Sequence, residues 1–228
     1  MQSRIGTGFV YCSKYISDED ARKTFIDNLP GELINEPIVL KFKTGRRVKS
    51  WNKNCVALGL SSGFIEPLES TSIHLIMNSA LRLVRFFPSD GIQESNLAEY
   101  NEQTKTEIER IRDFVILHYK ATERDDTPYW RYCRDMAVPD TLAHRIKLFK
   151  ETGIAYKAEG EIFSLDSWSQ VMIGQRIIPK AYHPYVDAMN HKDLCKELQE
   201  FSDGIKRRAM QMPSHEDFVR QYCSENDA

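Results

Sequence analysis

The segment from Asn54 to Ser72, NCVALGLSSGFIEPLESTS, most restricts what this chain can fold into. Its apolar residues from Cys55 to Leu58 run without polar alternation, a pattern typical of a strand that is covered on both faces. Gly59 and Gly63 punctuate the turn that follows, since glycine adopts positive φ and lets another group approach the backbone closely. The segment therefore predicts a buried strand, a glycine turn and a helix in direct succession.

A helix is predicted directly after Pro67, because Ser70 or Thr71 is placed to cap its first turn. The apolar residues that follow recur on one helical face: Ile73, Ile76, Met77, Ala80 and Val84. The first amides of a helix lack partners and lie at the positive end of its dipole, so we expect a small anion against the amides of Thr71 and Ser72. A strand followed by a capped helix is also common without a ligand, and a purely structural turn stays open.

Two carboxylates, Glu66 and Glu69, flank the Pro67-Leu68 dipeptide at the mouth of this turn. A carboxylate just before a helix compensates the positive end of the helix dipole, and that is one interpretation of the pair. A general base positioned for proton transfer is the other interpretation. The local sequence is compatible with both roles.

The string GLSSGFIEPLESTS, residues 59–72, closely resembles the flavin and halide motif in the C-terminal part of flavin-dependent tryptophan halogenases. Other segments resemble the same family and occur in the family's order: RIGTGFVYCSKYIS at 4–17, FKTGRRVKSWNKNCVALGL at 42–60, RDFVILHYKATERDDTPYWRYCRD at 112–135 and SWSQVMIGQ at 167–175. The resemblance therefore spans most of the chain and depends on several separate motifs.

The resemblance implies two cofactors, FAD in its reduced form FADH2 and a halide, either chloride or bromide. In this family reduced flavin and oxygen convert the halide to hypohalous acid, which reaches an electron-rich ring carbon in a separate pocket. The resemblance places the halide at the amides of Thr71 and Ser72. It places Leu60, Gly63 and Ile73 against the flavin, and it implies a separate flavin reductase as partner.

The resemblance also assigns catalytic and substrate-binding residues. Glu69 matches the family's active-site glutamate, which orients the halogenating species and accepts the proton of the ring intermediate, and Ser70 links the two pockets through its backbone. Trp168 is expected to stack on the aromatic substrate, with Gln170 as a neighbouring polar contact. Family members that act on free tryptophan also use a tyrosine pair, which SWSQVMIGQRIIPKAYHPYVD lacks. An indole, a substituted indole or another electron-rich arene therefore stays open beside tryptophan.

Some family features are absent from the sequence. The family binds FAD through an N-terminal GxGxxG turn, whereas Gly6-Thr7-Gly8 is followed by Phe9-Val10. The catalytic lysine and the WxWxIP signature are also missing. We therefore expect the C-terminal part of a longer enzyme, inactive by itself. The fold class is α+β, a partial FAD-dependent monooxygenase-like fold in which 1–72 are the remnant of a flavin and substrate module and 73–228 form a helical region over the substrate pocket.

Local patterns predict further elements. A strand is expected from Phe9 to Ser13, and an N-capped helix from Ser17 whose first turn is acidic. The alternation over 38–42, a Thr44-Gly45 turn and the run 46–51 indicate a hairpin. A long amphipathic helix carries His118 on its apolar stripe, and this histidine is expected in the core because no second histidine lies at metal-ligand spacing.

Composition excludes several classes of function. The net charge of −2 carries no electrostatic footprint of a nucleic-acid or membrane partner, and no apolar run reaches the roughly 20 residues of a membrane span. The five cysteines lack CxxC spacing, so they are expected to be reduced thiols of a cytoplasmic protein without a metal site. Two alternatives to a halogenase stay open: a flavin-dependent hydroxylase of the same superfamily, and a non-catalytic helical interaction module.

Overall fold

The computed structural model describes residues 5–223, and within them the chain is mostly helical with few strands. The helices are α1 Asp18–Asp27, α2 Ser72–Arg85, α3 Glu94–Lys120, α4 Pro128–Asp135, α5 Asp140–Thr152, α6 Leu165–Gly174, α7 His191–Gln211 and α8 His215–Tyr222. The strands are β1 Gly45–Arg46, β2 Trp51–Asn52, β3 Cys55–Val56 and β4 Gly63–Phe64. Short 3-10 turns cover Gly59–Ser61 and Pro184–Ala188.

The chain forms two compact units, one of residues 11–181 and one that contains 5–10 and 182–223 among the described residues. The functional boundary at residue 72 expected from the sequence stays a prediction; every described strand lies before that residue. The second unit contains α7 and α8, none of whose described residues is buried. None of the described helices is both long and apolar enough to span a membrane.

Helix α1 begins as its sequence predicts. The Ser17 hydroxyl accepts a hydrogen bond of 3.0 Å from the Asp20 amide, and acidic side chains fill the first turn at the positive end of the dipole. The helix ends at Asp27, before the cap residue Asn28. Its N-terminus is therefore specified by local signals alone, and the prediction is confirmed.

Two of the predicted strands are wrong, and a third is shorter than expected. Over 9–13 and over 38–42 no strand forms, and Ile38 and Leu40 of the alternating run are 83% and 80% exposed. β1 pairs instead with β4, antiparallel, with Gly45 opposite Phe64. The apolar run at 55–58 shortens to β3, a hairpin partner of β2 with an exposed Cys55. Only the Trp51 side of this hairpin is covered, which explains why the run is not a strand buried on both faces.

The glycines of the turn make close contacts with the protein itself. Gly59 has φ of +56°, and a Cβ placed on it would lie 2.3 Å from Cγ1 of Ile76 in α2. A Cβ on Gly63 would lie 3.0 Å from the carbonyl oxygen of Gly45. Glycine is thus required at 59 for both the backbone angle and the contact with α2. The expected close approach to the backbone at these glycines is made by protein groups.

Helix α2 contacts α3 through its polar side. Arg82 donates to the buried Glu107 carboxylate at 2.8 Å and to the Thr104 hydroxyl at 2.9 Å, and Asn78 donates to Glu107 at 2.6 Å. Leu75 adds an apolar contact. The predicted apolar face of α2 points the other way, since its five residues are exposed: Ile73, Ile76, Met77, Ala80 and Val84.

Helix α3 lies at the centre of the larger unit. The main core cluster joins it to α5 and α6 and consists of Phe114, Leu117, Leu142, Phe149, Trp168, Met172 and Ile177. Helix α5 ends at Thr152 and is capped by Gly153, whose φ of 73° is the left-handed conformation that favours glycine at a helix C-terminus. The core thus fixes α3, the helix that carries the partners of both glutamates of the turn.

Candidate functional site

The turn that leads into α2 has an unusual backbone. Ser70 has φ of +52°, in the left-handed region that non-glycine residues seldom adopt, and its amide donates to the Pro67 carbonyl at 3.0 Å. This conformation costs of order 1 kcal/mol or more and is often found at functional sites. It reverses the chain between Glu69 and the first residue of α2, Ser72.

The first amides of α2 are available for a ligand. Thr71 occupies the N-cap position, but its φ and ψ of −78° and −5° are helical and its side chain accepts no amide hydrogen bond. The expected side-chain cap by Ser70 or Thr71 is therefore wrong. Among the described residues the amides of Thr71 and Ser72 have no hydrogen-bond acceptor. Thr71 is only 6% exposed, so these donors lie partly shielded from water.

Glu69 contacts a histidine of α3. Its Oε1 lies 2.9 Å from Nε2 of His118, and both side chains are mostly buried, 29% and 21% exposed. Nδ1 of the same ring donates to the carbonyl oxygen of Phe114 at 2.8 Å. His118 was expected to be a core histidine; the amphipathic stripe places it correctly on the inner side of α3, but nothing in the stripe reveals the distant glutamate.

Glu66 has a separate partner on the same helix. The Tyr119 hydroxyl lies 2.9 Å from each carboxylate oxygen of Glu66. Burial raises the pKa of Glu66, while the Tyr119 hydrogen bond and the nearby His118 oppose that rise. Burial and the same carboxylate raise the pKa of Tyr119. The two glutamates thus contact consecutive residues of α3, and Tyr119 is a partner that the sequence reasoning missed.

A cavity of 470 Å³ lies beside Glu66 and does not include Glu69. Three tyrosines, Tyr119, Tyr129 and Tyr132, contribute to its wall. Its charged wall residues are already engaged: Arg46 pairs with Glu109 at 2.6 Å, and Arg112 pairs with a neighbouring aspartate at 2.7 Å. The remaining wall residues are Thr44, Gly45, Ile65, Ile108, Val115, Ile116, Cys133 and Met136.

The residues assigned to the flavin by resemblance lie on both sides of the turn. Leu60 is 60% exposed in the 3-10 turn, and Ile73 is 71% exposed in the first turn of α2. Gly63 is half-buried in β4. The 3-10 turn contacts α2, so Leu60 and Ile73 belong to neighbouring elements. Their exposed apolar side chains are of the type that packs on a flat apolar ring.

Trp168 lies in the core, whereas Gln170 lies on the exposed side of α6. Trp168 is 1% exposed, and its ring lies 4.3 Å from the Arg145 guanidinium and 4.8 Å from the Phe114 ring. Its Nε1 has no hydrogen-bond partner among the described residues. Gln170 is exposed on α6. A substrate could stack on Trp168 only after Arg145 or Phe114 moved, and the two assignments stay predictions.

Solved structures of one enzyme class share this fold. Xcc4156, a flavin-dependent halogenase from Xanthomonas campestris, superposes with a TM-score of 0.90 at 43% identity over 93% of this chain and 43% of that chain. BrvH, a flavin-dependent halogenase from Brevundimonas sp. BAL3, gives 0.87 at 41% identity over 92% and 43%. The fold is therefore that of the corresponding part of flavin-dependent halogenases.

Sequence comparison identifies the family. The family model described as tryptophan halogenase matches residues 1–191, and the chain belongs to that family. The tryptophan 6-halogenase SttH of Streptomyces toxytricini is 42% identical over 64% of this chain and 28% of the relative. The tryptophan 7-halogenase RebH of Lentzea aerocolonigenes is 27% identical over 97% of this chain and 45% of the relative. The chain thus spans less than half the length of these curated relatives.

Proposed function

We propose that this chain forms the halide and substrate side of a flavin-dependent halogenase that chlorinates or brominates tryptophan, an indole or another electron-rich arene. The observation that carries the proposal is the juxtaposition within one turn of two unpartnered amides, at Thr71 and Ser72, and a carboxylate, Glu69, held by His118. A halide ion can bind to backbone N–H groups that donate hydrogen bonds to it. The reacting ring needs a proton acceptor nearby.

The halide is proposed to bind to the amides of Thr71 and Ser72. Two free N–H groups at the start of α2 can donate to one anion, and the dipole of this 14-residue helix adds about 0.3–1 kcal/mol of attraction at its first turn. No cationic side chain is needed for such a site. Substitutions that keep the backbone, such as Thr71→Ser, should therefore retain halide.

The flavin is proposed to lie against Leu60 and Ile73, with Gly63 in the neighbouring strand. Their exposed apolar side chains would cover one side of the ring and exclude water from the halide. When bound, FADH2 supplies the oxidation of halide by oxygen. The chain itself would hold the anion and provide the apolar surface. The backbone of Ser70 would connect the halide site to Glu69.

Glu69 is proposed to act as the general base on the substrate side. Its carboxylate orients the hypohalous acid and accepts the proton that leaves the ring carbon, a role worth about 10² to 10⁴ in rate. The arene itself is proposed to approach from the side of α6, where Gln170 is exposed and Trp168 lies beneath the Arg145 guanidinium.

The chain alone is proposed to be inactive until a flavin-binding portion covers α2. The apolar face of α2 is exposed, with Ile73, Met77 and Val84 at 71%, 59% and 74%. The region that superposes on Xcc4156 covers only 43% of the Xcc4156 chain. The portion of those enzymes outside the shared region is the occupant we propose for this face, since burying these side chains would stabilise the complex by about 1.5–3 kcal/mol each.

Two further assignments accompany the proposal. A separate flavin reductase is proposed to deliver FADH2 to the assembled enzyme, with an aromatic small molecule as substrate and neither nucleic acid nor membrane as partner. A cytoplasmic location is proposed from the free thiols, which among the described residues form no disulfide.

A chimera tests this function. The chain replaces the matched C-terminal region of the Xanthomonas campestris enzyme Xcc4156, and the product from indole, bromide and enzymatically reduced FAD is analysed by mass spectrometry. Bromoindole is expected, and a matched chimera carrying Glu69→Gln should lose most of it. Hydroxylated product that is independent of bromide would favour a hydroxylase instead. No product from a folded, flavin-loaded chimera would favour a non-catalytic module.

A further inference from the structure

We propose that His118 is a positioning residue that keeps the Glu69 carboxylate ionised and fixed through a single proton held between Glu69 Oε1 and His118 Nε2. This inference rests on the proposed function, in which Glu69 is the general base. It explains how His118 orients that carboxylate and keeps it charged. It concerns a histidine that lies outside the glycine turn and the start of α2.

The hydrogen-bond pattern of the ring requires the shared proton. A carbonyl oxygen only accepts, so Nδ1, at 2.8 Å from the Phe114 carbonyl, carries a proton. A neutral imidazole has only one N–H, and its Nε2 would then present a lone pair to a carboxylate oxygen 2.9 Å away. Two lone pairs repel at that distance. One proton must therefore lie between Oε1 and Nε2.

The proton belongs mainly to the ring. Transfer of the proton to the carboxylate would leave two neutral groups and lose the charge-assisted hydrogen bond between Nε2 and Oε1, so we assign the proton to the imidazole. The result is an imidazolium that donates at both nitrogens, to the Phe114 carbonyl and to Glu69. Such charge-assisted hydrogen bonds are shorter and stronger than neutral ones.

Helix α3 supplies the rigid support that the turn lacks. The His118 ring meets the Phe114 ring edge to face, with centroids 4.9 Å apart, and Phe114 is itself 2% exposed in the core. Glu69, in contrast, lies in an irregular turn beside the left-handed Ser70. A side chain on a packed helix therefore fixes one on a loop, the arrangement that precise catalytic geometry requires.

One other carboxylate faces this histidine, and it provides a control. The charge of His118 acts on Glu66, but Glu66 accepts its hydrogen bonds from Tyr119. Glu66 therefore shares the electrostatic environment without sharing the proton. A Glu66→Gln substitution removes a nearby negative charge and leaves the Oε1 to Nε2 contact of Glu69 intact.

The reaction gives this arrangement a purpose. Hypohalous acid and the arene give a halogenated arene and water: the carbon–halogen bond forms, the halogen–oxygen bond breaks, and the ring carbon loses its proton. Glu69 accepts that proton, and hydroxide from the acid takes it up as water. His118 does not exchange a proton in this sequence; its charge keeps Glu69 ionised before the step and its hydrogen bond fixes Oε1.

Nuclear magnetic resonance of the intact chain tests the shared proton without any turnover. In a sample with ¹⁵N-labelled histidine at neutral pH, both ring nitrogens of His118 should carry protons, with the signals assigned by their loss in His118→Asn. In Glu69→Gln the new amide can donate to Nε2, so the ring should become neutral with its one proton on Nδ1. In Glu66→Gln both protons should remain. A neutral ring in the wild-type chain, or the same ring state in Glu69→Gln, would overturn the proposal.

Kinetics in the chimera with Xcc4156 give a second, independent test. His118→Asn should lower kcat for bromination about tenfold or more and leave the KM for the arene within twofold, because the substitution disturbs the base and not the arene pocket. Unchanged kcat would overturn the positioning role. If the parent chimera makes no halogenated product, the proposed function fails, yet the ring protons of the intact chain still decide whether the pair exists.

Discussion

Replacement of Gly59 by alanine tests whether the glycine turn is built around α2. The new Cβ would lie 2.3 Å from Cγ1 and 3.1 Å from Cδ1 of Ile76, at a backbone φ of +56°. A non-glycine residue in the left-handed region costs roughly 1–2 kcal/mol. The overlap with Ile76 adds about 1–3 kcal/mol, because a β-branched side chain relieves it only by leaving its rotamer or shifting α2. The two costs together give an expected loss of unfolding free energy of about 2–5 kcal/mol.

Gly91 provides the matched control for this substitution. It has a similar φ of +68°, but a Cβ placed on it meets nothing within 4 Å. Gly91→Ala should therefore lose only the free energy that the left-handed backbone angle costs an alanine. The reduced conformational entropy of the unfolded chain is the same in both variants. Urea unfolding followed by circular dichroism measures the difference, which should be at least about 1 kcal/mol. Equal losses in the two variants would refute the packing argument. In an Ile76→Ala background, which removes the overlapping atoms, Gly59→Ala should cost no more than Gly91→Ala.

Three further predictions concern side chains around the site. Arg82→Met should lower the unfolding free energy by about 3–5 kcal/mol, measured by urea unfolding, because it removes the arginine ion pair of the Glu107 carboxylate, which is 6% exposed. The pKa of Glu66 is raised in the folded chain, so the stabilisation that this carboxyl group contributes is present at acidic pH. This stabilisation is lost as the pH rises from the ordinary pKa of 4.5 through the raised pKa. Glu66→Gln should therefore gain stability relative to wild type over that rise, and a constant difference across the pH series would contradict this expectation. Trp168→Ala should cost about 3–5 kcal/mol while Gln170→Ala changes thermal stability by less than about 0.5 kcal/mol, and similar small effects at both would remove Trp168 from the core.

Local signals predict the helices well because capping chemistry acts within a few residues. The Ser17 hydroxyl accepts a hydrogen bond from the Asp20 amide as expected. Gly153 caps the C-terminus of α5 in the left-handed conformation. The start of α2 was predicted within a residue, although the predicted cap does not form. Its missing side-chain cap follows from the helical angles of Thr71, which the left-handed turn at Ser70 imposes.

The strands depend on pairing between distant residues, which no local pattern encodes. β1 at Gly45 pairs with β4 at Phe64, and each strand has only two residues. An apolar run of four residues therefore looked like a buried strand although only Trp51 of the neighbouring strand is covered. Periodicity predicted the apolar face of α2 correctly as a face, but it does not tell which side of the helix is buried.

The candidate site was predictable from the chain only in part. The turn and its amides follow from the segment between Gly59 and Ser72, whose residues are contiguous. The partners of its carboxylates come from α3, far along the chain: His118 for Glu69 and Tyr119 for Glu66. The position of His118 on the inner side of a long helix was predicted, whereas Tyr119 was not singled out. Both contacts depend on how that helix packs against the turn.

Anomalous diffraction from a bromide-soaked crystal of the chain tests the central claim most directly. We expect a bromide peak within hydrogen-bond distance of the amide nitrogens of Thr71 and Ser72, on the side of the turn that carries Leu60 and Ile73. Bromide peaks elsewhere on the surface with none at these two amides would contradict it.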